Sequence, residues 1–158
     1  MIERDTLMRQ TQQLAQALAQ IFRLRNEQDD RGVIEAIDQA SRDHLDGSAE
    51  EVRTLSPSVL LKLCTEGSRF SPDAAHTLAQ LLTAQGDAYR NLDAPERAGS
   101  CYARALLLLR YVLDVPDAPV SWTIGTQIAA LEDHVHQLPV SDAMQNALRT
   151  LKERSSSS

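Results

Sequence analysis

The sequence predicts an all-α fold of about six or seven helices paired as antiparallel hairpins, and three observations carry that prediction. Apolar residues recur at three- and four-residue steps through most of the chain. Serine-proline and capping-box signatures punctuate that period at the places where helices must begin. No Asn-Gly or Asp-Gly turn sits between alternating apolar residues, so a sheet is not expected.

Leu7, Leu14, Leu18, Ile21 and Phe22 form one apolar stripe, with Gln10, Gln12, Gln13, Gln16 and Gln20 on the other faces; this predicts a long first helix over residues 3–26. The run Glu27-Gln28-Asp29-Asp30 breaks it, and Val33, Ile34, Ile37 and Ala40 restart the period in a second helix ending near Leu45. Asp46-Gly47 reads as a turn, and Ser48-x-x-Glu51 as a capping box opening one or two helical turns before Leu55. Ser56-Pro57 and Ser71-Pro72 each place a serine cap before a proline whose missing N–H costs nothing in a first turn. The first of these helices carries Val59, Leu60, Leu61, Leu63 and Cys64 and is expected to end at Gly67; the second runs to about Arg90. Asp93-x-x-Glu96 reads as another capping box, opening a helix that carries Ala98, Tyr102, Ala105, Leu106, Leu109 and Leu113. Two prolines make residues 114–119 a loop. Ile124, Ile128, Leu131 and Val135 predict a helix to about Gln137, although its opening, Val120-Ser-Trp-Thr-Ile-Gly, is β-like. Ser141-Asp142 caps a last helix with Met144, Leu148 and Leu151. One domain over residues 1–154 is expected, followed by a disordered serine tail at 155–158.

Composition narrows the function classes. The longest apolar run, Ala105 to Leu109, is far short of the ~20 residues that span a bilayer. Glu3, Arg4, Asp5 and Arg9 interrupt any signal-peptide core, and Cys64 and Cys101 stand alone without metal-ligand spacing, which points to buried thiols and the cytoplasm. A net charge of −6, with only Lys62 and Lys152 as lysines, lacks the dense basic face that nucleic acid requires. Arg97, Arg104 and Arg110 on one predicted helix are expected to pair with carboxylates or lie over apolar surface.

Gly86-x-x-Tyr89, then Ala98, Tyr102 and Ala105, follow the spine of a tetratricopeptide repeat, in which small residues stand where two antiparallel helices touch most closely. Ile21, Leu24, Val33, Ile37 and Ala40 take corresponding positions in the first hairpin, 65 residues earlier. About three such repeats are needed to bury a continuous core, so the remaining helices or a second subunit must cap the pair. The opening Met1-Ile-Glu-Arg-Asp-Thr-Leu-Met-Arg, the segment Leu14-Ala-Gln-Ala-Leu-Ala and the later Ile37-Asp-Gln-Ala and Leu138-Pro139 resemble a family of small bacterial proteins of unknown function with tetratricopeptide-like helices. The resemblance implies a cytoplasmic helical protein and no established activity; the family's further Tyr-Tyr-Glu segment and helical pair do not occur here.

The resemblance to tetratricopeptide proteins places Gln80, Thr83, Asp87, Arg90 and Asn91 on the groove-lining helix, a polar face suited to a peptide. Thr83 and Asp87 stand where some repeats use lysine and asparagine to clamp a terminal carboxylate, so that ligand is not expected. Leu7, Leu14 and Ile21 keep heptad spacing, which offers either a packing seam for the second helix or a dimer surface. Among catalytic or metal sets, Glu132-Asp133-His134-Val135-His136 is the densest: Glu132 and His136 are one turn apart, whereas His134 and His136 point some 200° apart. No nucleophile motif and no glycine-rich phosphate loop occurs, and no cofactor is implied. The expected function is therefore a non-enzymatic interaction module, self-associating or bound to a protein partner. The alternative is a small metal-binding protein or enzyme built on Glu132, Asp133 and His136.

Overall fold

The computed structural model describes residues 2–115 and 122–156, with the side chains of 2–5, 122, 155 and 156 left undescribed. The described residues form eight helices: α1 (Ile2–Asn26), α2 (Asp30–His44), α3 (Ala49–Arg53), α4 (Pro57–Lys62), α5 (Pro72–Asn91), α6 (Pro95–Asp114), α7 (Trp122–Gln137) and α8 (Asp142–Ser156). The fold class is all-α, as the periodicity predicts.

The caps that start these helices are the side chains the sequence pointed to. Ser48 and Glu51 form the reciprocal box, and Ser56, Ser71 and Ser141 each accept from a backbone N–H three residues on. Asp29, from the acidic run that breaks α1, caps α2. The expected box at Asp93 and Glu96 does not form. Asp93 has φ +63 and belongs to the end of α5, while Ala94 occupies the cap of α6 without a side-chain bond. A short polar side chain that tolerates the left-handed region terminates one helix here instead of starting the next.

Two further expectations are corrected between α4 and α5. The helix after Pro57 stops at Lys62, not Gly67, and the chain makes a two-residue antiparallel hairpin, β1 (Thr65–Glu66) with β2 (Arg69–Phe70), where no sheet was expected. Gly67 at φ +64, followed by Ser68, has the positive first turn position that suits the right-handed strand twist. At the C-terminal end α8 runs on to Ser156, so the expected tail is half helical, and Ser157 and Ser158 lie outside the described residues. Of the β-like opening, residues 122–125 are helical; Val120 and Ser121, like 116–119 of the expected loop, lie outside the described residues.

The two long hairpins stack in sequence. Helices α1 and α2 pair with each other and both rest on α5; α5 pairs with α6; α7 and α8 both rest on α6. Helices α3 and α4 also touch α6. Leu14, Leu18 and Ile21 of the heptad stripe are buried against this stack, so α1 spends its seam within its own chain. One continuous core results, and α6 is its axis: Ala98, Cys101, Tyr102, Ala103, Ala105, Leu107 and Leu108 are fully inaccessible.

The small residues sit where backbones press together. A Cβ on Gly86 would lie 2.9 Å from the Tyr102 ring, and Ala98 and Ala105 are wholly buried. Gly86→Ala is therefore expected to cost about 1 kcal/mol net, because overpacking of the ring exceeds the helix propensity that alanine gains. Gly125 is the opposite case: exposed, within α7, with open space around its missing Cβ. Gly125→Ala should stabilise the fold by about 0.5–1 kcal/mol, visible as a raised denaturation midpoint with unchanged slope.

Candidate functional site

Helices α5 and α7 lean on α6 from different sides, and α1 closes the third side, leaving a cleft of about 290 Å³. Its apolar lining is Phe22 of α1, Ala79 of α5, Leu109 of α6 and Ala130 and Leu131 of α7. Gln80, Thr83 and Asp87 face it from successive turns of α5. Arg90 stands at the mouth and reaches α7, whereas Asn91 turns away and donates to the Asp30 carboxylate on α2. The helical period does not account for the split, since 91 lies four residues after 87 on the same side of α5; it is the Asp30 carboxylate at the start of α2 that draws Asn91 away.

Asp87 is the electrostatic centre. The Tyr102 hydroxyl donates to it, and the Arg25 and Arg90 guanidinium groups lie 3.6 and 3.9 Å away. Tyr102 in turn stacks on His134 with ring centroids 4.3 Å apart and planes 15° apart. Arg90 donates to His134 Nδ1 at 3.1 Å, which fixes that nitrogen as the acceptor. Burial and the Asp87 carboxylate hold the Tyr102 phenol well above its ordinary pKa. Counting Arg25 and Arg90 against Asp87, the rim carries one net positive charge.

His134 is held below its ordinary pKa of 6.5, first by burial and then by the Arg90 cation, with Asp87 and Asp133 working the other way. The folded protein therefore binds this proton less readily than the unfolded chain does. The stability it contributes is complete above pH 6.5 and declines as the pH falls below that value. The expected outcome is a thermal midpoint that drops between pH 7.5 and 5.5 in the wild type and drops less in His134→Gln.

The other predicted set is not assembled. Glu132 pairs with Arg110 at 3.8 Å, Asp133 and His136 are exposed, and no three His, Cys, Asp or Glu side chains converge among the described residues. Arg97, Arg104 and Arg110 separate onto different neighbours, the Tyr89 ring, the Leu55 carbonyl and the Leu148 carbonyl. Gly86, Tyr89, Ala98, Tyr102 and Ala105, the residues of the expected repeat spine, are all buried.

Sequence reasoning missed Phe22, Arg25, Gln127 and His134 of this site. The available signal was the position of Arg25 one turn beyond Ile21, on the stripe that α1 turns towards α5. His134 is reachable only once α7 is known to lie across Tyr102. The polar groups of the site are engaged with one another. The Thr83 hydroxyl is committed to the Ala79 carbonyl, Nδ1 of His134 to Arg90 and the Asp87 carboxylate to Tyr102 and the arginines. No protein-family model, curated protein or solved structure matches the chain.

Proposed function

We propose that this chain is a non-enzymatic interaction module, a stack of tetratricopeptide-like hairpins whose cleft between α1, α5 and α7 receives a segment of a partner protein. The observation that carries the reading is the cleft itself: an apolar floor, three polar side chains from consecutive turns of α5, and a rim with one positive charge in excess. That chemistry suits an apolar side chain flanked by a carboxylate. Asp87 does not repel such a group as strongly as its sequence position implies, because Tyr102, Arg25 and Arg90 already satisfy it. The resemblance to a small bacterial helical family belongs to the same reading, as does a reducing cytoplasm: Cys64 and Cys101 are free and buried, and burial raises both thiols to about 12.

The test is site-specific photo-crosslinking in cells, with the photoreactive residue at Gln80 inside the cleft or at exposed Gln16 on α1. The expected result is one adduct of defined mass from Gln80 and none from Gln16; an adduct of twice the chain mass identifies a second copy as the occupant. No adduct from Gln80, or the same adducts from both positions, overturns the reading.

A further inference from the structure

On the side of α6 facing away from that cleft, a second cleft of about 410 Å³ lies between α3, the start of α6 and the start of α8. Arg53 and Arg104 both line it, and both are unusually buried for arginine, at 9% and 8% exposed. Their charges are treated differently. Arg53 is satisfied: Nε and Nη2 grip the Glu50 carboxylate and Nη1 donates to the Ser100 hydroxyl. Among the described residues Arg104 meets only neutral partners, the backbone carbonyls of Leu55 and Ser100, and forms no ion pair. Burial and the nearby Arg53 both work against its charge.

A largely buried cation is costly without a counter-charge, and the open cleft that Arg104 lines is where one can reach it. The opposite wall of that space is the start of α8, a helix of 15 residues, where Ser141 already accepts from the Met144 N–H and the partial positive charge of the first turn stands beside Asp142. The position of α8 is fixed from α6. Gly99 has no side chain, and the Pro139 carbonyl packs directly over it, seating the turn before α8 beside Ser100 and Arg104. The one carboxylate on the cleft's own lining is Glu96, which is exposed in the first turn of α6.

We propose that this second cleft binds an oxyanion, a carboxylate or phosphate group held by Arg104 and the first turn of α8, with the Ser100 side of α6 as its floor. The largely buried guanidinium, hydrogen-bonded to neutral carbonyls but without a counter-charge among the described residues, carries the proposal, and the helix start only adds to it. The site is separate from the α1/α5/α7 cleft and stands or falls independently of the proposed function.

Its test is an amide-resolved nuclear magnetic resonance titration of the full chain with inorganic phosphate, and in a second arm with acetate, at constant ionic strength against chloride. The expected result is a saturable shift at Ser100, at residues 141–144 and at the Arg104 Nε–H. The arm that saturates at lower concentration tells a phosphate-type ligand from a carboxylate. Glu96→Gln removes the rim carboxylate from an exposed position and should tighten binding about threefold; Arg104→Gln should abolish saturation. Shifts that grow linearly and match those of chloride, or a midpoint that Glu96→Gln leaves unmoved, overturn the proposal even if Arg104→Gln fails to fold.

Discussion

Gly99→Ala is expected to lower stability by about 2–3 kcal/mol, a fall of roughly 5–10 °C in the thermal midpoint for a chain of this size. The added Cβ would overlap the Pro139 carbonyl oxygen and also meet the Leu138 Cβ at 3.4 Å. At Gly86 the obstacle is a side chain that can shift by a few tenths of an ångström; at Gly99 it is backbone, tied into the turn that joins α7 to α8. Relief therefore requires the whole turn to lift from α6. The measurable signature is that Gly99→Ala costs more than Gly86→Ala, although alanine is the better helix former at both sites. Equal costs would show that the turn is more pliable than its packing implies.

Tyr102→Ala should cost about 3–5 kcal/mol, the usual penalty for deleting a large buried ring. Tyr102 is wholly inaccessible, lies against Gly86, stacks on His134 and donates to Asp87. Tyr102→Phe keeps the ring and removes only the hydroxyl. Its expected cost is about 1–2 kcal/mol, because Asp87 loses a donor but keeps Arg25 and Arg90. Denaturant unfolding of the pair separates the two contributions. If the phenylalanine variant is as unstable as the alanine one, the hydrogen bond and not the packing governs this junction.

Much of the fold was legible because its signals are local. A serine three residues before the N–H it accepts, a proline in a first turn and an apolar stripe of helical period each act within one or two turns. Ser48, Ser56, Ser71 and Ser141 announced their helices for that reason. Asp93 misled because the same short polar side chain both caps helix starts and tolerates the left-handed backbone that ends them, and its local pattern satisfied both. The hairpin at Gly67 was hidden because its signal was a Gly-Ser pair between strands of only two residues. Gly99 carries no local signal at all, because its reason for being small is Pro139, forty residues on. The candidate site divides in the same way. Gln80, Thr83, Asp87 and Arg90 follow from one helix period, whereas Arg25 and His134 join them only through the packing of α1 and α7.

The central position of α6 has a consequence for how the protein is made. Its oily surface is covered on one side by α5 and on others by α7 and α8, which are synthesised after it. As the chain leaves the ribosome up to Val115, the stack of α1, α2 and α5 is complete, yet the leucine-rich flank of α6 has no lid. Nascent chains at that stage present the sticky surface that holding chaperones recognise. Their escape from aggregation rests on how soon α7 and α8 arrive.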